Sequence, residues 1–373
     1  MSPIKVGFVG LSTTGWASTA LATPLLQNDN YTLTAISTSS KESAETSAAK
    51  YSAITGHQVK AYYGGTDQIA NDPNVDLVAV AVKAPLHKQL LTPVIEAGKD
   101  FFIEWPAGKN TEETIQFAET AKAKGLRSIV GAQGWQSPAV KKAKEIIDSG
   151  KIGKIMSSSI IALLPREAKM WGPEVLASNS YLLERGGGAT MLDLSVGQQL
   201  NSMTYILGDF ISVYSTTTTL YPTSTLVSQD GAPTGETITN KSPDHIAFSG
   251  ILSSGALISV VWRGGYKSTP GRQQLIWEID GEEGSIKLTN DQVSGSAFHV
   301  KDPRLYLNGE LVELEREGGP DPTGGMLGNA GAAWQEFAEG DNGKYPTIED
   351  AVKVHRLLDA IRLSAETGKR VEL

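Results

Sequence analysis

The sequence contains no cysteine in 373 residues. That excludes disulfides, a thiolate nucleophile and every metal site that needs sulfur. Histidine is scarce: His57, His87, His245, His299 and His355 are scattered, with no H-x-x-x-H or similar ligand spacing. No catalytic metal is expected. Basic residues are outnumbered, 33 Lys and Arg against 41 Asp and Glu, for a net charge of −8 and no Lys/Arg run. Direct binding to nucleic acid is therefore not expected. No stretch of about 18 apolar residues is present to span a bilayer, and no charged-then-apolar leader opens the chain, so a cytoplasmic protein is expected. What is there is ordinary for a globular chain, 40% hydrophobic and 20% charged. At this length two domains are expected, because single cores stop growing at roughly 250–300 residues.

The most informative stretch is Ile4-Lys5-Val6-Gly7-Phe8-Val9-Gly10-Leu11-Ser12-Thr13-Thr14-Gly15-Trp16. An apolar run of strand length meets a glycine-containing turn, and a helical pattern follows to Leu26. Strand, tight turn and helix in that order suit the pyrophosphate of a dinucleotide. Backbone N–H groups at a helix N-terminus supply positive potential, and glycines allow close approach. Gly10 and Gly15 occupy the first and third positions of G-x-G-x-x-G, while Ser12 takes the second. A serine there still approaches a phosphate and offers its hydroxyl. Taken alone, the motif also fits a plain structural turn.

The second strand, Tyr31 to Ile36, ends at Ser37-Thr38-Ser39-Ser40-Lys41. An NAD site places an acid here for the ribose 2′-hydroxyl. None appears before Glu42, and the hydroxyls with Lys41 suit a 2′-phosphate, which favours NADP with NAD still possible. The competing reading is a solvated loop with a helix N-cap at Ser39 or Ser40. Further strands are expected at 59–62, 76–82, 101–103 and 128–130, with helices at 41–51, 86–97 and 111–124. This alternation implies right-handed βαβ units and a doubly wound parallel sheet. Ligands bind beyond the carboxyl ends of such strands, nominating 12–16, 37–41, 83–87, 104–106 and 133–136.

After a helix at 137–149 the pattern changes. A strand at 154–164, a helix at 191–207 after Gly186-Gly187-Gly188, and strands at 211–220, 245–252, 256–262, 273–279 and 285–288 imply an antiparallel meander. The polar stretch Tyr221 to Pro243 is expected to be a loop or lid. Two closing helices are expected at 326–339 and 348–367. The fold class is α/β: an N-terminal Rossmann domain over 1–135, and an α+β domain over 136–373 with a large, mostly antiparallel open sheet. That reading leaves open a C-terminal helix packing back on the first domain.

These pieces resemble the glucose–fructose oxidoreductase / inositol dehydrogenase (Gfo/Idh/MocA) family over nearly the full length. The resemblance rests on the glycine turn, Glu104-Trp105-Pro106 where the family has Glu-Lys-Pro, Gly186-Gly187-Gly188 running into Leu192-Asp193, and the ending Ile348-Glu349-Asp350-Ala351 to Thr367-Gly368-Lys369-Arg370-Val371. Within the family the chain is similar to the fungal galactose-regulon repressor branch, through Val6-Gly7-Phe8-Val9-Gly10-Leu11, Gly15-Trp16, Glu104-Trp105, Gln133-Gly134 and Ser242-Pro243-Asp244-His245. The resemblance implies an oxidoreductase using NADP or NAD, a small-molecule substrate that is sugar-like, a polyol or a secondary metabolite, and a homodimer or higher homo-oligomer. The repressor branch implies instead a dinucleotide sensor with a protein partner. A non-redox enzyme in a repurposed cofactor fold is the third reading.

By the same resemblance, Trp105 replaces the family's catalytic Lys and Gly197 its catalytic His. General acid–base help is worth about 10²–10⁴ in rate, so losing both should disable the standard reaction unless other groups take over. Candidates are Asp193, which survives from the family's trio, Lys83 beyond the buried strand, and Tyr181 before the glycine run. Each has a bland alternative: a helix-start carboxylate, a solvated lysine, a packing phenol. The cofactor-binding set is Gly10, Ser12, Thr13, Thr14, Gly15, Trp16, Ser37, Thr38, Lys41, His87, Glu104, Trp105 and Gln133. Glu104 is expected to fix the backbone near the nicotinamide ribose, Trp105 to cover the nicotinamide face or wall off substrate, and His87 to be chiefly structural. The second sheet's open face, with Val260, Val261 and Trp262, is expected to pair with another copy, unless those residues pack on the domain's own helices.

Overall fold

The computed structural model describes residues 2–314 and 325–373. They form two compact units, Met1–Gln136 with Met326–Val352 and Ser137–Gly325 with Lys353–Leu373.

The first unit is built on strands β1 (Ile4–Val9), β2 (Tyr31–Thr38), β3 (Lys60–Tyr63), β4 (Leu77–Val80), β5 (Asp100–Glu104) and β6 (Ser128–Gly131). They form one parallel sheet in the order β3-β2-β1-β4-β5-β6. Every residue of β4 is buried, as its unbroken apolar run requires for a strand covered on both faces. The order reverses between β1 and β4, and that switch point is where an open α/β sheet forms its crevice. After β1, a π-helical stretch (Ala17–Ala22) continues as α1 (Thr23–Leu26). Then come α2 (Lys41–Thr55), α3 (Asp67–Ala70), α4 (His87–Glu96) and α5 (Thr111–Ala123). The Ser40 side chain caps α2 by accepting from Ser43 N, and Gly56 ends it at φ 73°. Asn110 caps α5 through Glu113 N.

A helix from late in the chain completes this core. In α8 (Met326–Ala338), Trp334 packs edge-on against Tyr31 with ring centroids 5.5 Å apart and lies 5.0 Å from Phe102. Its indole donates to Leu21 O, and its own carbonyl accepts from the Tyr31 hydroxyl. The two polar ends of a buried aromatic pair are thereby satisfied.

The second unit holds α6 (Pro138–Asp148), α7 (Gly197–Leu207) and most of α9 (Ile348–Thr367). Its strands are β7 (Ile155–Pro165), β8 (Glu174–Leu176), β9 (Phe210–Thr218), β10 (Thr223–Val227), β11 (Pro233–Thr239), β12 (His245–Leu252), β13 (Leu257–Tyr266), β14 (Leu275–Gly281), β15 (Ser285–Asn290), β16 (Arg304–Leu307), β17 (Glu310–Val312) and β18 (Val371–Glu372). Nine of them form a sheet ordered β17-β16-β15-β14-β7-β13-β12-β9-β18. The sheet is mostly antiparallel, but β13 pairs parallel with β7, so it is not a simple meander.

Two expectations fail here for clear reasons. The stretch 221–243 is not a loop: β10 and β11 form a hairpin, and β10 also pairs parallel with β8. Its Thr-rich β11 is exposed almost throughout, so no buried alternation marks it as a strand. Val260 and Trp262 do not lie on the open face. Both are buried, and the Trp262 indole donates to Gln199 Oε1 on α7. The pleat places Leu257 and Val261 on the other side, with Ile161 and Tyr214 across the sheet. Leu257, Tyr214 and Ile161 are all exposed there.

Candidate dinucleotide site

The chain turns sharply at Gly10, where φ is 86°. A Cβ at Gly10 would drive into the Ala81 carbonyl oxygen and the Val82 side chain beyond β4. Gly15, at φ 98°, faces open space on the side where a Cβ would stand. Only glycine satisfies both demands cheaply. The Ser12 hydroxyl donates to Thr14 O, closing the turn on itself. Thr19 N and Oγ1 both donate to Gly15 O, starting the helix. Sequence reading missed Lys50. From α2 its ammonium donates to Thr13 O at 2.9 Å and to Ser18 Oγ at 3.4 Å, while the Tyr51 hydroxyl donates to Ser18 Oγ. Nothing local in the sequence signals a contact made 37 residues away.

At the end of β2, Ser37 is buried and donates to Gly65 O, and Thr38 donates to Ser40 O. Ser40 is the observed N-cap, one of the two positions open from the sequence. Lys41 begins α2, exposed, with Glu45 at 3.8 Å.

Glu104 closes β5 and is buried. Its carboxylate accepts from the Trp16 indole at 2.7 Å, from Trp105 N at 3.2 Å and from Gln133 Nε2 at 3.5 Å. Burial pushes its pKa up to about 7, against the opposing pull of those hydrogen bonds. A Cβ at Gly131 on β6 would collide with this carboxylate, so the glycine makes room for it. Trp16 thus reaches from the turn after β1 to the end of β5, and β4 lies between those strands. Trp105 is buried and joined to Pro106 by a cis peptide. His87 is buried with Nδ1 at 3.0 Å from Ala107 O and Nε2 at 3.0 Å from Val82 O. Burial lowers its pKa. Its ring ties the chain beyond β4 to the chain beyond β5. Lys83 is exposed at the start of the turn leading to α4.

In the second unit, Asp193 is buried at the start of the helix leading into α7. Its Oδ2 accepts from Thr190 N and Oγ1, and its Oδ1 pairs with Arg362 Nη2 at 2.6 Å. Arg362 also pairs with Asp359. His355 is buried nearby, its pKa driven down to about 4 by burial, with the Asp193 charge opposing. Arg362 and His355 lie far along the chain and carried no sequence signal. Tyr181 is half-buried, and burial raises its pKa. Gly197 opens α7, its carbonyl accepting from Asn201 Nδ2.

Residues 4–132 match the oxidoreductase family with an NAD-binding Rossmann fold, GFO_IDH_MocA, and residues 138–290 match the Gal80p C-terminal domain. Dehydrogenase aclE of Aspergillus oryzae is 30% identical over 98% of this chain and 97% of its own length. The chain belongs to the Gfo/Idh/MocA family. The galactose/lactose metabolism regulatory protein GAL80 of Saccharomyces cerevisiae is 23% identical over 100% of this chain and 95% of its own. A crystal structure of a super-repressor mutant of Gal80p from that organism superposes with a TM-score of 0.87 at 22% identity. It covers 100% of this chain and 98% of that one. Membership in Gfo/Idh/MocA therefore joins this chain to both dehydrogenases and regulators. Its nucleotide half fits a nicotinamide dinucleotide: Gly15 leaves open space, and the buried Gln133 Oε1 beside Glu104 has no donor among the described residues.

Proposed function

We propose that this protein is an NAD(P)-dependent oxidoreductase of the Gfo/Idh/MocA type. Its substrate is a sugar-like, polyol or secondary-metabolite alcohol or carbonyl, and its acid–base set differs from the family's Lys and His. The observation that carries this reading is the glycine turn at Gly10 and Gly15 placed beside the β1–β4 switch point, with a buried carboxyl at Glu104 at the end of β5, on the far side of β4. The nicotinamide, when bound, supplies hydride transfer. The protein's own groups do the rest. Gly10, Ser12, Thr13, Thr14 and Gly15 form the turn that binds the pyrophosphate, with Lys50 holding the Thr13 carbonyl. Thr38 and Lys41 favour a 2′-phosphate, hence NADP over NAD; Ser37, turned to Gly65, supports the strand end. Trp16, Trp105, Glu104, Gln133 and His87 shape the nicotinamide end. Lys83 in the first unit and Tyr181 in the second are each a candidate, tested separately, for handling the substrate proton. Asp193, held by Thr190 and Arg362, sets the polar groups of the substrate unit.

The test is a substrate panel of polyols, aldoses and hydroxylated metabolites, followed by the absorbance of reduced nicotinamide. Turnover that falls at least tenfold in Lys83→Met or Tyr181→Phe supports the assignment. No turnover with any alcohol or carbonyl, despite tight nucleotide binding, refutes the enzyme reading.

A second reading, a nucleotide-sensing regulator, is favoured by Trp105 and Gly197 at the family's two proton-handling positions and by the similarity to GAL80. A nucleotide-dependent protein partner in a pull-down would select it. Either reading is compatible with a homo-oligomer formed through the open face carrying Leu257, Val261, Ile161 and Tyr214. Sedimentation measures that directly.

A further inference from the structure

Glu104 is a buried acid whose partners among the described residues include no cation. Among the described residues no Lys, Arg or His lies within ion-pair distance of it, and its three partners are an indole, a backbone amide and a carboxamide. Its surroundings are unusually poor in charge. Residues 10–27, which form the glycine turn and following helix, contain no charged side chain, and neither do residues 131–136 beyond β6. The chain beyond β4 brings Lys83, which is exposed, and His87, whose two ring nitrogens face Val82 O and Ala107 O. The chain beyond β5 brings Lys109 and Glu113, which pair with each other at 3.3 Å. None of these charged groups contributes to the Glu104 titration. A buried carboxylate lacking a cation is costly in its ionised form. The crevice it borders is the one assigned above to a cofactor whose oxidised ring carries a positive charge and whose reduced ring carries none.

We propose that Glu104 is the counter-charge for the oxidised nicotinamide, so that the protein distinguishes oxidised from reduced cofactor through the protonation state of this one carboxyl. The inference rests on the cofactor-binding reading above and adds a specificity-determining role to Glu104. The balance is one proton. Oxidised cofactor binds with Glu104 ionised, releasing to solvent the proton that the carboxyl carries in the free protein at lower pH. Reduced cofactor binds with the carboxyl still protonated, and no proton leaves. The Trp16 indole and Gln133 amide hold the carboxylate as donors, and both remain compatible with a neutral acid through its carbonyl oxygen.

The test measures dissociation constants for NADP+ and NADPH from pH 5.5 to 8.5 by tryptophan fluorescence, using the ratio of reduced to oxidised. The phosphates are the same in both forms and cancel in that ratio. With the carboxyl titrating at about 7, preference for the oxidised form should rise about tenfold per pH unit below neutrality, about 30-fold over the range. Glu104→Gln keeps an acceptor for Trp16 and should make the ratio flat. Calorimetry on the unmodified protein at pH 6, in buffers of different ionisation enthalpy, should show release of nearly one proton with NADP+ and none with NADPH. A ratio flat within about twofold in the unmodified protein, or an unchanged slope in Glu104→Gln, overturns the proposal while leaving the cofactor reading intact. No binding of either nucleotide overturns both.

Discussion

The Asp193–Arg362 pair decides whether the surviving family carboxylate is a working group or a fixed strut. The Asp193 side chain is 10% exposed and the Arg362 side chain 41%, so one end of the pair is dry and the other reaches water. Removing one partner of a fully buried pair costs roughly 3–5 kcal/mol, while an exposed pair contributes about 0–1. The half-buried geometry places Arg362→Met between these, at about 2 kcal/mol, because it removes the guanidinium from a buried carboxylate whose Oδ2 still accepts from Thr190. Asp193→Asn should cost less, about 1 kcal/mol, because its amide oxygen still accepts from Thr190 N. The double variant should therefore lose about 1 kcal/mol less stability than the sum of the two single losses. Urea unfolding of the four proteins, compared at constant m-value, measures the cycle. Additivity within about 0.3 kcal/mol would refute the pairing and return Asp193 to the list of groups available for proton transfer.

Trp334→Ala should destabilise the first unit by about 3–5 kcal/mol, because it removes the ring between Tyr31 and Phe102 and strands the Leu21 carbonyl; urea unfolding followed by circular dichroism reads this. Gly10→Ala should weaken nucleotide binding at least tenfold while the second unit keeps its stability, since its Cβ meets Ala81 O at a φ of 86°; fluorescence titration checks it. His355 is held neutral in the fold, with a pKa of about 4 against an unfolded value near 6.5. The unfolded chain then binds the extra proton, so its contribution to stability is complete above pH 6.5 and fades as pH falls toward 4, by up to about 3 kcal/mol. His355→Gln should flatten that part of the stability–pH curve, measured by urea midpoints between pH 7 and 4.

Long periodic segments were legible. The apolar run giving β4 and the capped helix α5 follow from local pattern alone, and so does the glycine turn with its strand and helix. What escaped was structure whose cause is distant. β8 and β10 are short, and β11 is solvated on both faces, so neither burial nor alternation marks it. Assigning Val260 and Trp262 to the open face failed because adjacent apolar residues in a strand point to opposite sides, and the sequence does not say which side carries α7. At the candidate site, the positions of Glu104, Gln133 and the glycine turn at strand ends were legible. The partners that fix their state, Lys50 on the turn and Arg362 on Asp193, are brought in by tertiary packing across 37 and 169 residues.

Nucleotide binding is the property on which the oxidoreductase and sensor functions both depend, and titration of the purified protein with NADPH and then NADH, following tryptophan fluorescence, tests it most directly. Trp16 borders the crevice at 40% exposure, with its indole on Glu104, so saturable quenching is predicted. NADPH should bind more tightly than NADH, and the quenching should be lost in Trp16→Phe. Absence of saturable binding by either nucleotide would contradict the oxidoreductase and sensor readings alike and leave the non-redox alternative.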